Sequence, residues 1–129
     1  MEVAEIMTRE PLSVTSDARV ADALELMHDN DIRHVPVIDD GELIGMLSDR
    51  DLRDFLRAED GWRKAQGVSV SEVMSADAIS VEPGSDVSEL IDLMLENKIG
   101  AIPVVDGHSD KVVGIVSYVD VLAAARELL

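Results

Sequence analysis

With 129 residues, 47% hydrophobic but only 2% aromatic, the chain can bury one core of Val, Leu, Ile, Ala and Met, or two small cores that need each other. A formal net charge of -16 repels a phosphate backbone over most of the surface and excludes polymeric nucleic acid as a partner. The lack of cysteine excludes disulfides, thiolate nucleophiles and thiolate metal sites; with no signal peptide and no apolar run of transmembrane length, the expectation is a cytoplasmic protein without membrane insertion.

In chain order, a polar lead-in, Thr8 to Pro11, runs into a short extended piece around Leu12 to Val14. Ser16 and Asp17 supply helix-starting chemistry, and Val20, Leu24 and Met27 recur at helical spacing, which predicts an amphipathic helix. After Asn30 the period changes. His34 to Ile38 and Leu43 to Leu47 are apolar runs on either side of Asp39-Asp40-Gly41, the pattern of a hairpin, and a second helix is predicted to open at Ser48.

The same features then return. Met7 matches Met74, Ser13 matches Ser80, Met27 matches Met94 and Pro36 matches Pro103, all at an offset of 67; after a longer turn from Asp106 to Asp110 the offset becomes 69, so that Gly45, Ser48 and Asp51 match Gly114, Ser117 and Asp120. Two copies of a unit this long point to a pseudo-twofold domain rather than an open array. The division expected is a first repeat at 1–56, a linker at 57–69 and a second repeat at 70–129, with Pro83 to Asp86 starting the helix of the second copy. The linker holds the only tryptophan, Trp62, whose bulk suits either packing beneath the linker, the reading preferred, or a contact with another chain.

The sharpest local pattern is Gly45-Met46-Leu47-Ser48-Asp49-Arg50-Asp51, echoed from Gly114 to Asp120. A strand ends in a hydroxyl residue with an acid three positions later, where a helix begins, and that spacing fits a capping box. It also fits a ligand, because free amides at a helix start attract a phosphate and a carboxylate accepts from adjacent ribose hydroxyls. Glycine in the strand would let a flat ring approach closely. His28 and His108 have no partner at metal-ligand spacing, and the acids at Asp39, Asp40, Asp49 and Asp51 suit turns and helix starts, so no metal is expected. Met27 and Met94 read as core filler. Nothing pairs a nucleophile with a base, so catalytic residues are not expected either.

Taken together, Glu5-Ile6-Met7-Thr8, Arg33-His34-Val35-Pro36-Val37-Ile38-Asp39 and Gly45 to Asp51, all duplicated, resemble a tandem pair of cystathionine β-synthase (CBS) domains, the Bateman module. The resemblance implies an α/β fold of the α+β kind, with two βαββα repeats packed through their sheets, and clefts for an adenosine-containing ligand such as AMP, ADP, ATP or S-adenosylmethionine. Carried onto this sequence, one cleft joins Thr8, Pro11, Ser13 and Ile32 to Ile115, Ser117 and Asp120. The other joins Ser75, Ala78, Ser80 and Ile99 to Met46, Ser48 and Asp51. The resemblance gives the aspartates to ribose, the serines to ribose or phosphate and the aliphatic side chains to adenine.

The copies differ in charge. Arg33 and His34 stand where nucleotide-binding relatives place phosphate-contacting residues, while the second copy has Gly100 and Ala101; Arg50 has Val119 as its counterpart. The expectation ranks Asp120, working with Arg33 and His34, as the stronger site. The function expected is a non-catalytic sensor that needs no cofactor, forms a disc-like homodimer and acts on a separate effector protein. The alternative, favoured by the missing basic residues of the second copy, is an association module that binds no ligand.

Overall fold

A computed structural model describes residues 1–129. The chain divides into two compact units that do not follow the sequence repeats: one comprises Leu12–Ala78, the other Met1–Pro11 with Ile79–Leu129. Each is a mixed α/β unit.

In the unit of Leu12–Ala78, helix α1 (Val20–Asp29) turns Val20, Ala23 and Met27 inward. Strands β2 (His34–Asp39) and β3 (Glu42–Ser48) form an antiparallel hairpin running from His34 opposite Ser48 to Asp39 opposite Glu42. Its turn is Asp40-Gly41, both at positive φ (51° and 82°), the backbone that matches strand twist in a tight hairpin. Val14 bridges in parallel to Val37 at the hairpin's other edge. Helix α2 (Asp49–Arg57) buries Leu52. The core, Val20, Ala23, Met27, Val35, Val37, Leu47, Leu52, Ala65 and Val70, is wholly aliphatic apart from one thioether.

The connector contributes to that core. Residues 57–69, expected as a plain linker, contain helix α3 (Gly61–Ala65), whose Ala65 is fully buried, and a 3-10 turn follows at Val70–Glu72. The Val20 amide donates to Val68 O (3.0 Å) and the Val70 amide to Ala18 O (2.7 Å), tying this segment to the start of α1. Trp62 does not pack beneath it. The indole is 66% exposed, because a five-residue helix that turns Gly61 and Ala65 inward turns Trp62 outward.

The other unit repeats the plan with the beginning of the chain in the connector's place. A 3-10 turn at Val3–Glu5 buries Val3, whose amide donates to Ser85 O (2.8 Å), while the Val87 amide donates to Met1 O (2.9 Å). Strand β1 (Thr8–Arg9), helix α4 (Val87–Asn97), strands β4 (Ala101–Val105) and β5 (Val112–Ser117) and helix α5 (Tyr118–Glu127) complete it. The sheet order is β1-β5-β4, all antiparallel. Val3, Val81, Leu90, Met94, Ile102, Val104 and Val116 form the core.

The helix starts differ between the units. Asp86 caps α4 as expected, its carboxylate accepting from the Ser88 amide at 3.0 Å. Ser16 and Asp17 do not cap α1, which starts at Arg19 without a side-chain cap. Ser16 instead donates to Asp39 through its amide (2.9 Å) and hydroxyl (2.5 Å), pinning the loop to the end of β2; the hydroxyl contact, followed by the amide, holds the Asp39 carboxyl below its ordinary value. No helix of the chain is long and apolar enough to cross a membrane.

Candidate nucleotide-binding site

In both units a lead-in segment from one repeat joins the strand-to-helix turn of the other. Thr8 pairs with Ile115 and Arg9 with Gly114 in the first case. In the second, Met46 donates to Ser75 O (3.0 Å) and Ser75 donates to Met46 O (2.8 Å). The glycines before these turns permit that approach. A Cβ on Gly114 would lie 2.7 Å from Met7 Sδ and 2.9 Å from Thr8 O, and one on Gly45 would lie 2.6 Å from Ser75 O and 2.8 Å from Met74 Sδ. The space that the sequence reserves for a flat ring is therefore filled by the lead-in backbone and a methionine.

The next residues form the two helix starts. Ser48 Oγ accepts from the Asp51 amide (3.1 Å) and Asp51 accepts from the Ser48 amide (3.3 Å). Asp120 accepts from the Ser117 amide (2.9 Å), and Ser117 Oγ stands 3.2 Å from the Asp120 carboxylate and 3.4 Å from its amide. Both pairs are capping boxes, half-buried, with one carboxylate oxygen engaged at the cap. A carboxylate has further lone pairs, so capping leaves acceptor capacity for hydroxyl groups of a ligand.

The hairpins bring the start of their first strand beside these turns. His34 lies opposite Ser48 and Ala101 opposite Ser117; the Asp49 amide donates to Arg33 O and the Tyr118 amide to Gly100 O. Arg33 and His34 thus flank Ser48 and Asp51, and Gly100 and Ala101 flank Ser117 and Asp120. Burial lowers the His34 pKa from 6.5, with Arg33 adding to the effect and Asp49 and Asp51 opposing it, so the ring is neutral at neutral pH. Arg33 is exposed and in no ion pair, whereas Arg53 on the same rim holds Asp49 at 3.0 Å.

The site residues fall into two groups. Ser13, Ile32, Arg33, His34, Met46, Ser48, Arg50, Asp51, Ser75 and Ala78 belong to the unit of Leu12–Ala78. Thr8, Pro11, Ser80, Ile99, Gly100, Ile115, Ser117 and Asp120 belong to the other. By unit alone, Thr8 and Pro11 fall with Ile115, Ser117 and Asp120, and Ser13, Ile32 and Arg33 with Asp51, while Ser80 and Ile99, grouped with Asp51 in the sequence, fall with Asp120. No group of His, Asp or Glu stands arranged to hold a metal ion. One feature had no signal in the sequence, a hollow of about 770 Å³ among α1, α2 and α3, whose rim includes Arg33 and Trp62.

The CBS domain model matches twice, over residues 3–58 and 70–127. The chain belongs to the CBS domain family. This CBS pair is 34% identical over 120 residues to the CBS domain-containing protein YhcV of Bacillus subtilis, covering 92% of the chain and 81% of YhcV. Among solved structures it is similar to CBSX2 in complex with AMP (32% identity, TM-score 0.84, 98% of this chain and 97% of that one). It is also similar to the CBS pair of protein MJ0100 in complex with 5'-methylthioadenosine and S-adenosyl-L-methionine (25% identity, TM-score 0.83, 97% and 99%). Two other curated relatives are longer, and the chain spans 45% and 40% of their lengths.

Proposed function

We propose that this CBS pair is a non-catalytic regulatory module that binds adenosine-containing ligands at the Ser48–Asp51 and Ser117–Asp120 turns. The observation that carries the reading is the duplicated join of lead-in segment and capping turn, in a fold whose relatives CBSX2 and MJ0100 hold AMP, 5'-methylthioadenosine and S-adenosyl-L-methionine. Asp51 and Asp120 accept from ribose, Ser48 and Ser117 lie near ribose or phosphate, and Met46, Ile32, Ile99 and Ile115 cover adenine. Thr8, Pro11, Ser13, Ser75, Ala78 and Ser80 line the lead-in side. Arg33, His34 and Arg50 give the turn at Asp51 the positive charge that a phosphate needs, so that turn prefers AMP, ADP or ATP. The turn at Asp120 has Gly100, Ala101 and Val119 in place of those three residues and prefers S-adenosylmethionine or 5'-methylthioadenosine.

Regulation follows from differential affinity: a ligand shifts the module toward whichever arrangement binds it better, by no more than that preference. The controlled partner is a separate or attached effector protein, in the cytoplasm. Calorimetry with AMP, ADP, ATP and S-adenosylmethionine tests the reading, with product analysis to check that no ligand turns over. Heat with at least one ligand and no product is the expected result.

Silence with all four would favour the second reading, an association module without ligand. One observation supports it: α5 buries none of its residues and exposes Val119 and Leu122 at 57% and 62%. A homodimer is consistent with either reading.

A further inference from the structure

A methionine occupies the same place in both units. Met7 and Met74 each follow a single 3-10 turn, Val3–Glu5 or Val70–Glu72, and each donates its amide to the carbonyl of the buried valine that opens the turn (3.0 Å in both). The next residue, Thr8 or Ser75, joins the strand of the other repeat at Ile115 or Met46. Between these two anchors the thioether is laid over a glycine. A Cβ on Gly114 would stand 2.7 Å from Met7 Sδ and 3.1 Å from its Cγ, and one on Gly45 would stand 2.8 Å from Met74 Sδ and 3.2 Å from its Cγ. Both glycines are buried, and both methionines pack on the core of their own unit. Met7 and Met74 are nevertheless only half-buried, unlike Met27 and Met94 at 5% and 9% exposure. The chain has no cysteine, so methionine supplies its only sulfur, and solvent reaches these two residues.

We propose that Met7 and Met74 are oxidative modification sites, at which a hydroperoxide converts the thioether to a sulfoxide and lowers the affinity of the adjacent turn for its adenosine ligand. The effect on affinity rests on the binding reading. In the step a sulfur lone pair takes one peroxide oxygen as the O–O bond breaks, and the sulfur gives up two electrons to the peroxide. With hydrogen peroxide, the displaced hydroxide takes the proton of the transferred oxygen and leaves as water. The product is bulkier and polar. Against Gly114 or Gly45 the added oxygen meets strand backbone, and the Met46 and Ser75 amides are already engaged with each other, so they offer it no donor. A sulfoxide that swings outward instead empties the space that the thioether fills on the core. In both cases the lead-in segment loses its close seat on the strand, and Thr8 separates from Ile115, or Ser75 from Met46. Reductases that act on methionine sulfoxide reverse the change, which makes it a switch rather than a lesion. The turn at Asp120 depends on Met7 and the turn at Asp51 on Met74, so each ligand reports on one methionine.

Hydrogen peroxide is the probe, with peptide mass spectrometry to locate each added oxygen and calorimetry to follow S-adenosylmethionine and AMP. In the parent, oxygen is expected on Met7 and Met74, and both ligands should weaken about tenfold. Treatment with a methionine sulfoxide reductase should restore them. Leucine keeps the volume without the sulfur. Met7→Leu should therefore bind S-adenosylmethionine equally before and after peroxide while still losing AMP, and Met74→Leu should show the reverse. Met7 is the sharper arm, because its join has Ile115 where the other has the oxidisable Met46. Loss of S-adenosylmethionine binding in oxidised Met7→Leu would overturn the proposal, as would peroxide that modifies Met1 and Met46 but neither Met7 nor Met74. If the untreated parent binds neither ligand, the binding reading fails, and melting decides whether oxidation loosens the joins. A midpoint lowered by peroxide in the parent but not in the double variant Met7→Leu/Met74→Leu supports it, and an unchanged midpoint overturns it. Should a leucine variant fail to fold, the peroxide time course of the parent takes its place: a loss of S-adenosylmethionine binding that follows oxygen on Met1 rather than on Met7 rejects the proposal.

Discussion

Met46 and Ser75 exchange both of their backbone hydrogen bonds, at 3.0 and 2.8 Å, across the boundary between the first repeat and the second. Thr8 and Ile115 stand opposite each other in the mirrored position. Each candidate site therefore depends on residues from both ends of the duplication.

The glycines beneath these joins are the first test. Gly114→Ala drives a methyl group to within 3 Å of Met7 Sδ and Thr8 O, and Gly45→Ala meets Ser75 O at 2.6 Å. Met7 or Met74 can swing away, but the carbonyls belong to the backbone. Overpacking of this kind costs about 1–3 kcal/mol, so each variant should melt several degrees below the parent in a thermal scan. Unchanged melting would mean that the lead-in segments are held less closely than described.

Ser48→Ala and Ser117→Ala each remove a side-chain acceptor from a helix start. Loss of an N-cap costs about 1 kcal/mol, measurable by urea denaturation. Ser48→Asp keeps the cap but adds a negative charge to the proposed phosphate surroundings. It should retain stability while weakening AMP, and that pattern separates capping from binding.

Ligand preference provides the third. Asp51→Ala and Arg33→Ala should each lower AMP affinity by about 10- to 100-fold, the range for hydrogen bonds to charged groups, with little effect on S-adenosylmethionine. Asp120→Ala should do the reverse. If Asp120→Ala alone abolished AMP binding, the sequence's ranking would stand and the phosphate preference assigned here to the turn beside Arg33 would fail.

His34 makes stability depend on pH with a definite sign. Its folded pKa lies below the unfolded 6.5, so above pH 6.5 the ring is neutral in both states and the native state loses nothing. As pH falls below 6.5 the unfolded chain takes up the proton first, and stability declines until the folded pKa is passed. His34→Gln should flatten that part of the profile. A phosphate beside the ring favours the protonated form, so AMP binding should strengthen on acidification from pH 7 toward 6 in the parent and not in His34→Gln.

Much of this architecture was legible before any coordinates. The Asp40-Gly41 turn, the hairpin strands and the serine-aspartate helix starts follow from local chemistry, and duplication doubled each signal. What escaped was non-local. Ser16 and Asp17 have the composition of a cap, but a closer acceptor at Asp39 takes Ser16. The glycines announce a close approach without saying that chain rather than ligand makes it. Trp62 gave no clue to its direction, because a five-residue helix is too short to show a periodicity. Charge could be assigned to a repeat but not to a site, since each unit assembles its parts from both repeats.

That exchange of leading segments sets a limit on how the molecule can be dismantled. A clean break anywhere in residues 57–69 would yield two polypeptides, each missing an edge that the other carries, and neither fragment should persist as a folded solitary piece. A forerunner with a single repeat would have needed two molecules entwined to build what one doubled chain now builds alone. Joined in one chain, the halves are free to differ, as Arg33, His34 and Arg50 differ from Gly100, Ala101 and Val119.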